Sequence, residues 1–184
     1  MGGIKVHEFI SLDGVFENPA WTAEYPWDPR MSEAIGRLTG GEGTELLLGR
    51  ETYEMFAPAW SSRSADDDPG VAFFNGARKN VVSGRDDDRL DWNNSRVIGA
   101  YDPERVRALR AEVDGDLYVS GSGTLVRALL RDGLVDELHL FVFPIVLGSG
   151  ERLFTDDETT RLRLLETDSY DSGVVHLAYG PTAG

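Results

Sequence analysis

Short apolar runs recur along the whole chain, rich in Val, Ile, Leu and aromatic residues and bounded by Gly, Asp, Asn or Pro. Runs of this kind are typical of β-strands that are buried in a sheet. They predict eight strands, at about residues 4–10, 45–48, 79–83, 95–99, 116–120, 137–143, 162–167 and 173–179.

Four helices are predicted between these strands from the helical spacing of apolar residues and from terminal signals. Two of them begin where an aspartate precedes a proline, at Asp28 and Asp102, because aspartate is a favoured N-cap and proline suits the first helical position. The other two directly follow strands, over about residues 50–56 and 125–130, and Pro58 is expected to end the first of these.

The order of these elements predicts an α/β fold. Strands and helices alternate over the first three quarters of the chain, which favours parallel strands joined by crossover helices. From residue 137 onward no helix of convincing length separates the strands, and residues 169–173 are predicted to form a turn. We therefore expect one domain over residues 1–184, with a mixed eight-stranded sheet. The sheet is mostly parallel, has a C-terminal antiparallel hairpin and is flanked by about four helices.

Composition and charge exclude several classes of function. The 184 residues contain no cysteine, which excludes disulfides, thiolate metal sites and a cysteine nucleophile. The formal net charge of −14 repels nucleic acids and anionic membranes, so neither is expected as a partner. No apolar stretch approaches the roughly 18–20 residues that span a bilayer, and the N-terminus lacks the basic start and apolar centre of a signal peptide. A cytoplasmic location is therefore expected.

Two strand–glycine–helix turns carry the main functional signal. The first follows the apolar run 46–48, and the second follows the strand predicted at 116–120. Backbone N–H groups at such turns bind anions, and together the turns predict a nucleotide held by its phosphates. Taken alone, the first turn is equally well explained by a helix that begins after a strand, and the second by a flexible turn capped by Ser122 or Thr124. The candidate ligands here are Gly49, Arg50, Thr52, Gly121, Ser122, Gly123 and Thr124.

Two further strand ends carry polar side chains. Ser83 could form a hydrogen bond to a ribose or a phosphate, and Arg85 could pair with a phosphate. A strand end followed by a surface arginine explains the same residues equally well. Arg50 and Arg85 are the best candidates for a local positive patch on this acidic chain. Asp13 follows the first strand, where α/β sheets place ligands, but a simple Asp-Gly turn also explains it.

Metal and serine-hydrolase chemistry are not predicted. The three histidines, at positions 7, 139 and 176, fall in separate predicted strands without metal-ligand spacing, and no G-x-S-x-G motif is present. The acidic runs 66–68 and 86–88 are predicted to be solvated loops. Trp21, Tyr25 and Trp27 either cover a flat ligand ring or pack their loop onto the core.

In its order of motifs the chain resembles the dihydrofolate reductase-like superfamily. The similarity is greatest to the C-terminal reductase domain of bacterial riboflavin biosynthesis deaminase-reductases, in a stand-alone form without the deaminase domain. The motifs are Ser11-Leu12-Asp13-Gly14, Gly49-Arg50-x-Thr52-Tyr53-Glu54, Val82-Ser83, Gly121-Ser122-Gly123-Thr124-Leu125 and Pro144-x-x-Leu147-Gly148-x-Gly150.

The resemblance implies an NADPH-dependent reductase. It places Gly49, Arg50 and Thr52 along the cofactor phosphates, with Arg50 near the 2′-phosphate, Ser83 near the adenosine ribose, and residues 121–125, including Leu125, around the pyrophosphate. Hydride would pass to a C=N or C=O of a small heterocyclic substrate, pterin- or pyrimidine-like. The alternative is a non-catalytic nucleotide- or pterin-binding module.

The resemblance also implies an acidic residue that assists catalysis. Asp13, Glu33 and Asp28 compete for this role, because the local match at the first helix does not separate them. Related reductase domains are often dimeric, so a homodimer is a further expectation.

Overall fold

The computed structural model describes residues 2–66, 68–85, 89–155 and 159–182. The loop prediction for residues 86–88, and the central residue of the run 66–68, lie outside these described residues. The strands are β1 (Ile4–Ser11), β2 (Glu45–Gly49), β3 (Lys79–Val82), β4 (Ser95–Gly99), β5 (Leu117–Ser120), β6 (Glu137–Phe143), β7 (Leu162–Ser169) and β8 (Val175–Pro181). The helices are α1 (Pro29–Thr39), α2 (Arg50–Ser61), α3 (Val71–Gly76), α4 (Pro103–Glu112) and α5 (Gly123–Arg131), with a 3-10 helix at Pro19–Glu24.

The eight strands form one mixed sheet in the order β4-β3-β2-β5-β1-β6-β8-β7. Strands β1 to β6 run parallel to their neighbours among themselves, whereas β8 lies antiparallel to both β6 and β7. The predicted mixed sheet with a C-terminal antiparallel hairpin is confirmed. Because the first six strands are parallel, the loops that follow β1, β2, β3 and β5 meet at one edge of the sheet.

Two helical segments and one helix end differ from the prediction. The 3-10 helix and α3 were not predicted, since each has only six residues and too short an apolar repeat. The prediction that Pro58 ends α2 was wrong, because the helix continues to Ser61. Trp60 lies in this last turn and stacks on Phe74 of α3 with ring centroids 3.9 Å apart. This packing offsets the hydrogen bond that proline cannot donate.

The core lies on both faces of the sheet. On one face, Val106 and Leu109 of α4 and Leu129 of α5 pack with Ile4 and Val6 of β1. On the other face, α1, α2 and α3 cover the remaining buried side chains of the central strands. A fully buried side chain such as Leu129 contributes ~1.5–3 kcal/mol of hydrophobic stabilisation. No helix among the described residues has the length and apolar character needed to cross a membrane.

Candidate functional site

A cleft of about 1740 Å³ lies at the edge where the parallel strands end. All ten residues predicted to bind a cofactor line it, although they come from three separate loops. They are Gly49, Arg50, Thr52, Ser83, Arg85, Gly121, Ser122, Gly123, Thr124 and Leu125. The structure therefore brings together every side chain and glycine that the sequence assigned to one ligand.

The two glycine turns contact each other directly. The backbone N–H of Gly49 donates to Oγ of Ser122 over 2.9 Å, because β2 and β5 are adjacent in the sheet. Gly121 and Ser122 both have left-handed backbone angles, with φ values of 66° and 65°. This conformation turns the chain sharply from β5 into α5, and Ser122 tolerates it while its hydroxyl is held by the neighbouring turn.

The helices that open into the cleft lack the side-chain caps of the other long helices. Asp28 accepts a hydrogen bond from the backbone N–H of Arg30 in α1, and Asp102 accepts from Glu104 in α4. Among the described residues, no side chain caps the N-terminus of α2 or of α5. Uncapped N-terminal N–H groups carry partial positive charge and bind anions, so two anion-binding helix ends face one cleft.

Two arginines are held together at the cleft wall by one carboxylate. Nε of Arg50 donates to Oε1 of Glu54 over 2.8 Å, and Nη1 of Arg85 donates to the same oxygen over 3.0 Å. The hydrogen bond from Arg50 is the main cause that lowers the pKa of Glu54. Glu54 therefore orients two guanidinium groups side by side on the cleft wall, where they can contact an anionic ligand.

Ser83 and Thr52 are buried in the cleft lining, with 6% and 4% of their surfaces exposed. Oγ of Ser83 accepts from the backbone N–H of Arg85 over 3.2 Å and so fixes the loop that carries this arginine. Thr52 lies under Gly121, where an added Cβ would come within 3.3 Å of its methyl group. Glycine at 121 therefore keeps the floor of the cleft open.

The three carboxylates predicted to assist catalysis do not belong to the described lining of the cleft. Asp13 accepts hydrogen bonds from Oγ of Ser11 (2.6 Å) and from the backbone N–H groups of Leu147 (3.1 Å) and Gly148 (2.9 Å). These bonds, the one from Ser11 first, hold the pKa of Asp13 well below its usual range. Its carboxylate anchors a loop and is fully engaged in doing so.

Asp28 and Glu33 are absent from the cleft lining, and each has a local position on α1. Asp28 caps α1 and forms an ion pair of 2.8 Å with Arg30, so its oxygens are used locally. Glu33 is exposed on the surface of α1. The catalytic roles of Asp13, Asp28 and Glu33 stay predictions, and the cleft lining contains a buried carboxylate that was not among them.

That carboxylate is Glu8 of β1, which sequence reasoning missed. It lines the cleft with only 3% of its surface exposed. Burial raises the pKa of Glu8 to about 8, although a hydrogen bond donated by the backbone N–H of Gly121 acts to lower it. Its Oε1 has no partner within the described parts of the chain. A usable signal was present, because Glu8 occupies the same face of the strand as the buried Ile4, Val6 and Ile10.

On the opposite face of β1, His7 belongs to a second buried polar group. Nδ1 of His7 lies 2.9 Å from Oη of Tyr118 and 3.5 Å from Oγ of Ser120. Burial, with smaller contributions from His139 and His176, lowers the pKa of His7 to about 3. The imidazole is therefore neutral at physiological pH and can orient a ligand by hydrogen bonding.

The aromatic residues Trp21, Tyr25 and Trp27 do not share one role: two pack onto the core and one lines the cleft. Trp21 and Tyr25 pack onto Phe143 in the core, with ring centroids 5.3 and 5.4 Å apart. Trp27 instead lines the cleft with Phe9, at a centroid distance of 6.0 Å, and is half exposed. One aromatic side chain of this loop is thus available to a flat ligand.

Comparison with known proteins matches nearly the whole chain to one family. The sequence model of the RibD C-terminal domain matches residues 4–176. The uncharacterized protein YyaP of Bacillus subtilis is 26% identical over 178 residues, which cover 92% of this chain and 90% of that protein. Another Bacillus subtilis protein, YwjB, is 33% identical over 67 residues, or 36% of this chain and 38% of that protein.

Solved structures share the fold at low identity. A candidate riboflavin biosynthesis protein from Shewanella sp. PV-4 superposes with a TM-score of 0.77 and 19% identity over all of both chains. A pyrimidine reductase-like protein from Corynebacterium diphtheriae gives a TM-score of 0.68 and 17% identity, over all of this chain and 93% of that one. RibD of Acinetobacter baumannii gives 0.66 and 20% identity, over 99% of this chain and 58% of that one.

Proposed function

The chain belongs to the RibD C-terminal domain family, and on that premise we propose that it is an NADPH-dependent reductase. Its substrate would be a small pterin- or pyrimidine-like heterocycle whose C=N or C=O carbon accepts hydride. One observation carries this proposal: a single cleft gathers all ten predicted cofactor residues together with a buried carboxyl group, Glu8. The names of two structural neighbours, a riboflavin biosynthesis protein and a pyrimidine reductase-like protein, support the substrate class.

The groups at the cleft suit a phosphorylated dinucleotide. The uncapped N-termini of α2 and α5 offer backbone N–H donors to a pyrophosphate. Arg50 and Arg85, oriented by Glu54, offer two guanidinium groups to the additional phosphate that distinguishes NADPH from NADH. When bound, NADPH would supply the hydride, and the protein's part is to orient the reactants and exclude water.

Glu8 would supply the proton that completes the reduction. When hydride adds to the carbon of a C=N group, the π electron pair moves to nitrogen, which must then be protonated. A carboxyl group with a pKa of about 8 is still protonated at neutral pH and can donate that proton. The resulting carboxylate regains a proton from solvent before the next turnover. His7, Tyr118 and Ser120 would hydrogen-bond the heterocycle and hold it in place.

The direct test combines cofactor binding with turnover. Calorimetry with NADPH and NADH should show one site with a preference for NADPH, and a panel of pterins and pyrimidines should contain a substrate that causes repeated NADPH oxidation. Stoichiometric NADPH binding without oxidation across the panel would contradict the reductase and favour a non-catalytic binding module. Absence of binding by either coenzyme would overturn both.

A variant separates the role of the arginine pair from general charge loss. Arg50→Ala should weaken NADPH at least ~10-fold and NADH little, because only the charge-assisted contact to the extra phosphate is lost. Arg107→Ala on α4 is the matched control, since it removes an exposed arginine that also pairs with a glutamate on its own helix. Equal weakening of both coenzymes by Arg50→Ala would refute the assignment.

A further inference from the structure

The hairpin β7–β8 places three potential metal ligands side by side. Asp168 lies directly opposite His176 in the register of the two strands, and Glu166 is two residues before Asp168. Residues two apart in a strand share a face, so all three side chains point to the same side of the sheet. One ligand atom from each lies within 4.8 Å of the other two. None of the three belongs to the described lining of the cleft.

His176 is buried with an unused ring nitrogen. Its surface is 1% exposed, and Nδ1 has no hydrogen-bond partner in the residues that the structure describes. Its Nε2 lies 3.0 Å from Nδ1 of His139, whose Nε2 lies 3.0 Å from Oε2 of Glu137. A buried polar atom without a partner costs free energy, which a bound ligand would recover.

The hydrogen-bond chain assigns the tautomers of both histidines. The carboxylate of Glu137 can only accept, so Nε2 of His139 carries a hydrogen and its Nδ1 becomes an acceptor. Nε2 of His176 must then donate to that Nδ1, which leaves the lone pair of Nδ1 of His176 free. Histidines that bind metals are commonly fixed in this way, by a carboxylate or other acceptor that holds the opposite ring N–H.

We propose that Glu166, Asp168 and His176 form a binding site for a divalent transition-metal ion such as Zn²⁺. One imidazole nitrogen and two carboxylates suit this class of ion, and a fourth position is left for water. Tetrahedral ligands at the usual zinc distances are ~3.4 Å apart, so the two exposed carboxylates need only small rotations to close on an ion.

The surrounding charges favour a cation. The carboxylates of Glu166 and Asp168 both face the ring of His176. Arg37 of α1 donates to Oε1 of Glu166 over 3.0 Å, which leaves the second oxygen of that carboxylate for the ion. The described charges at the site sum to −1, and an ion here would tie the edge strand β7 to β8. The proposal is independent of the reductase function, because it involves a different part of the sheet.

The test uses Zn²⁺ and Co²⁺ alone on chelator-treated protein. Calorimetry should detect one Zn²⁺ per chain, and Co²⁺ should give the visible absorption of a tetrahedral site. Zn²⁺ should also raise the melting temperature, because it binds the folded chain. Asp168→Asn and Glu166→Gln should each weaken Zn²⁺ at least ~10-fold, and both alter exposed side chains, so folding is preserved.

Asp171→Asn is the matched control, because Asp171 is an exposed carboxylate in the turn of the same hairpin. It removes the same charge and should change Zn²⁺ affinity less than 2-fold. Circular dichroism would establish that all variants are folded. The proposal is overturned if the wild-type protein shows no saturable binding of one ion per chain. It is also overturned if Asp168→Asn and Asp171→Asn bind Zn²⁺ equally well.

Discussion

Replacing Glu8 by glutamine should make the protein more stable at alkaline pH while it removes the proposed proton donor. Glutamine has nearly the same shape and keeps an oxygen that can accept from Gly121, but it cannot ionise. In the wild-type protein burial raises the pKa of Glu8 from 4.5 to about 8. The free energies of unfolding of the wild-type protein and of Glu8→Gln should therefore depend differently on pH.

The sign and size of this pH dependence follow from the number of protons bound in the folded and unfolded states. Between pH 4.5 and about 8 the unfolded chain has released the Glu8 proton, while the folded protein still holds it. Unfolding is therefore favoured as pH rises, by ~1.4 kcal/mol per pH unit and ~5 kcal/mol over the window. This cost is absent below pH 4.5 and constant above about 8. It is large beside a typical total stability of ~5–15 kcal/mol.

The measurement is urea unfolding of both proteins at pH 5, 6, 7, 8 and 9, followed by the fluorescence of the four tryptophans. The difference in unfolding free energy between Glu8→Gln and wild type should increase steadily towards pH 8. The extra amide N–H of glutamine adds a penalty of ~1–3 kcal/mol that does not depend on pH, so only the slope is diagnostic. The shifted pKa of His7 makes stability depend on pH between about 3 and 6.5, but this dependence is the same in both proteins and cancels in their difference. Parallel pH profiles for the two proteins would refute the burial argument.

The same variant tests the proposed chemistry. Loss of a general acid should lower turnover ~100-fold or more while NADPH affinity is retained. A variant that gains stability and loses activity is expected where a functional group is held in an unfavourable environment. Gain of stability with unchanged turnover would leave the pKa argument intact and remove Glu8 from catalysis.

Four other substitutions have definite expected outcomes. Gly123→Ala should lower both the melting temperature and NADPH affinity, because its Cβ would lie 1.8 Å from Phe16, whereas Gly36→Ala, with open space around it, should raise the melting temperature. Asp13→Asn should lower the melting temperature more at pH 7 than at pH 3. Because the pKa of Asp13 is depressed in the folded protein, its carboxylate contributes fully to stability above the unfolded pKa and progressively less in acid. Equal losses of melting temperature at both pH values would contradict this. Lys79→Met should flatten the pH dependence of stability between pH 8 and 10.5. Burial lowers the pKa of Lys79 to about 8, so over this range the folded protein has released the Lys79 proton while the unfolded chain still holds it, and the wild-type protein gains stability as pH rises. Unchanged slopes in urea unfolding would contradict the last prediction.

The fold was predictable because its signals are local. The runs 46–48 and 117–119 are fully buried strands, and fully buried strands consist of apolar residues whatever surrounds them. Parallel order then places successive strand ends at one edge, so the convergence of the two glycine turns followed from topology alone. The missed α3 is held by contacts such as Trp60 on Phe74, which come from another helix and have no signal in its own six residues.

The proposed catalytic carboxyl group and the proposed metal ligands could not be found in the same way. The raised pKa of Glu8 comes from desolvation by elements that pack over β1, and Asp13 has the more familiar position after a strand. The ligand set Glu166, Asp168 and His176 depends on the register between two strands, so its spacing in the sequence resembles no metal motif. In both cases the chemistry arises from contacts across the sheet.

An acidic surface is compatible with the proposed anion-binding cleft because the two act on a ligand over different distances. A net charge of −14 repels a dinucleotide through a solvent layer of ~8 Å, the screening length at physiological ionic strength. Inside the cleft, amide and guanidinium donors act at ~3 Å, where charge-assisted hydrogen bonds are strong. Because Glu54 holds Arg50 and Arg85 together, these cations are oriented before a ligand arrives. The proposed site therefore calls for a ligand whose phosphates reach both helix ends and both arginines at once, as we expect of a phosphorylated dinucleotide.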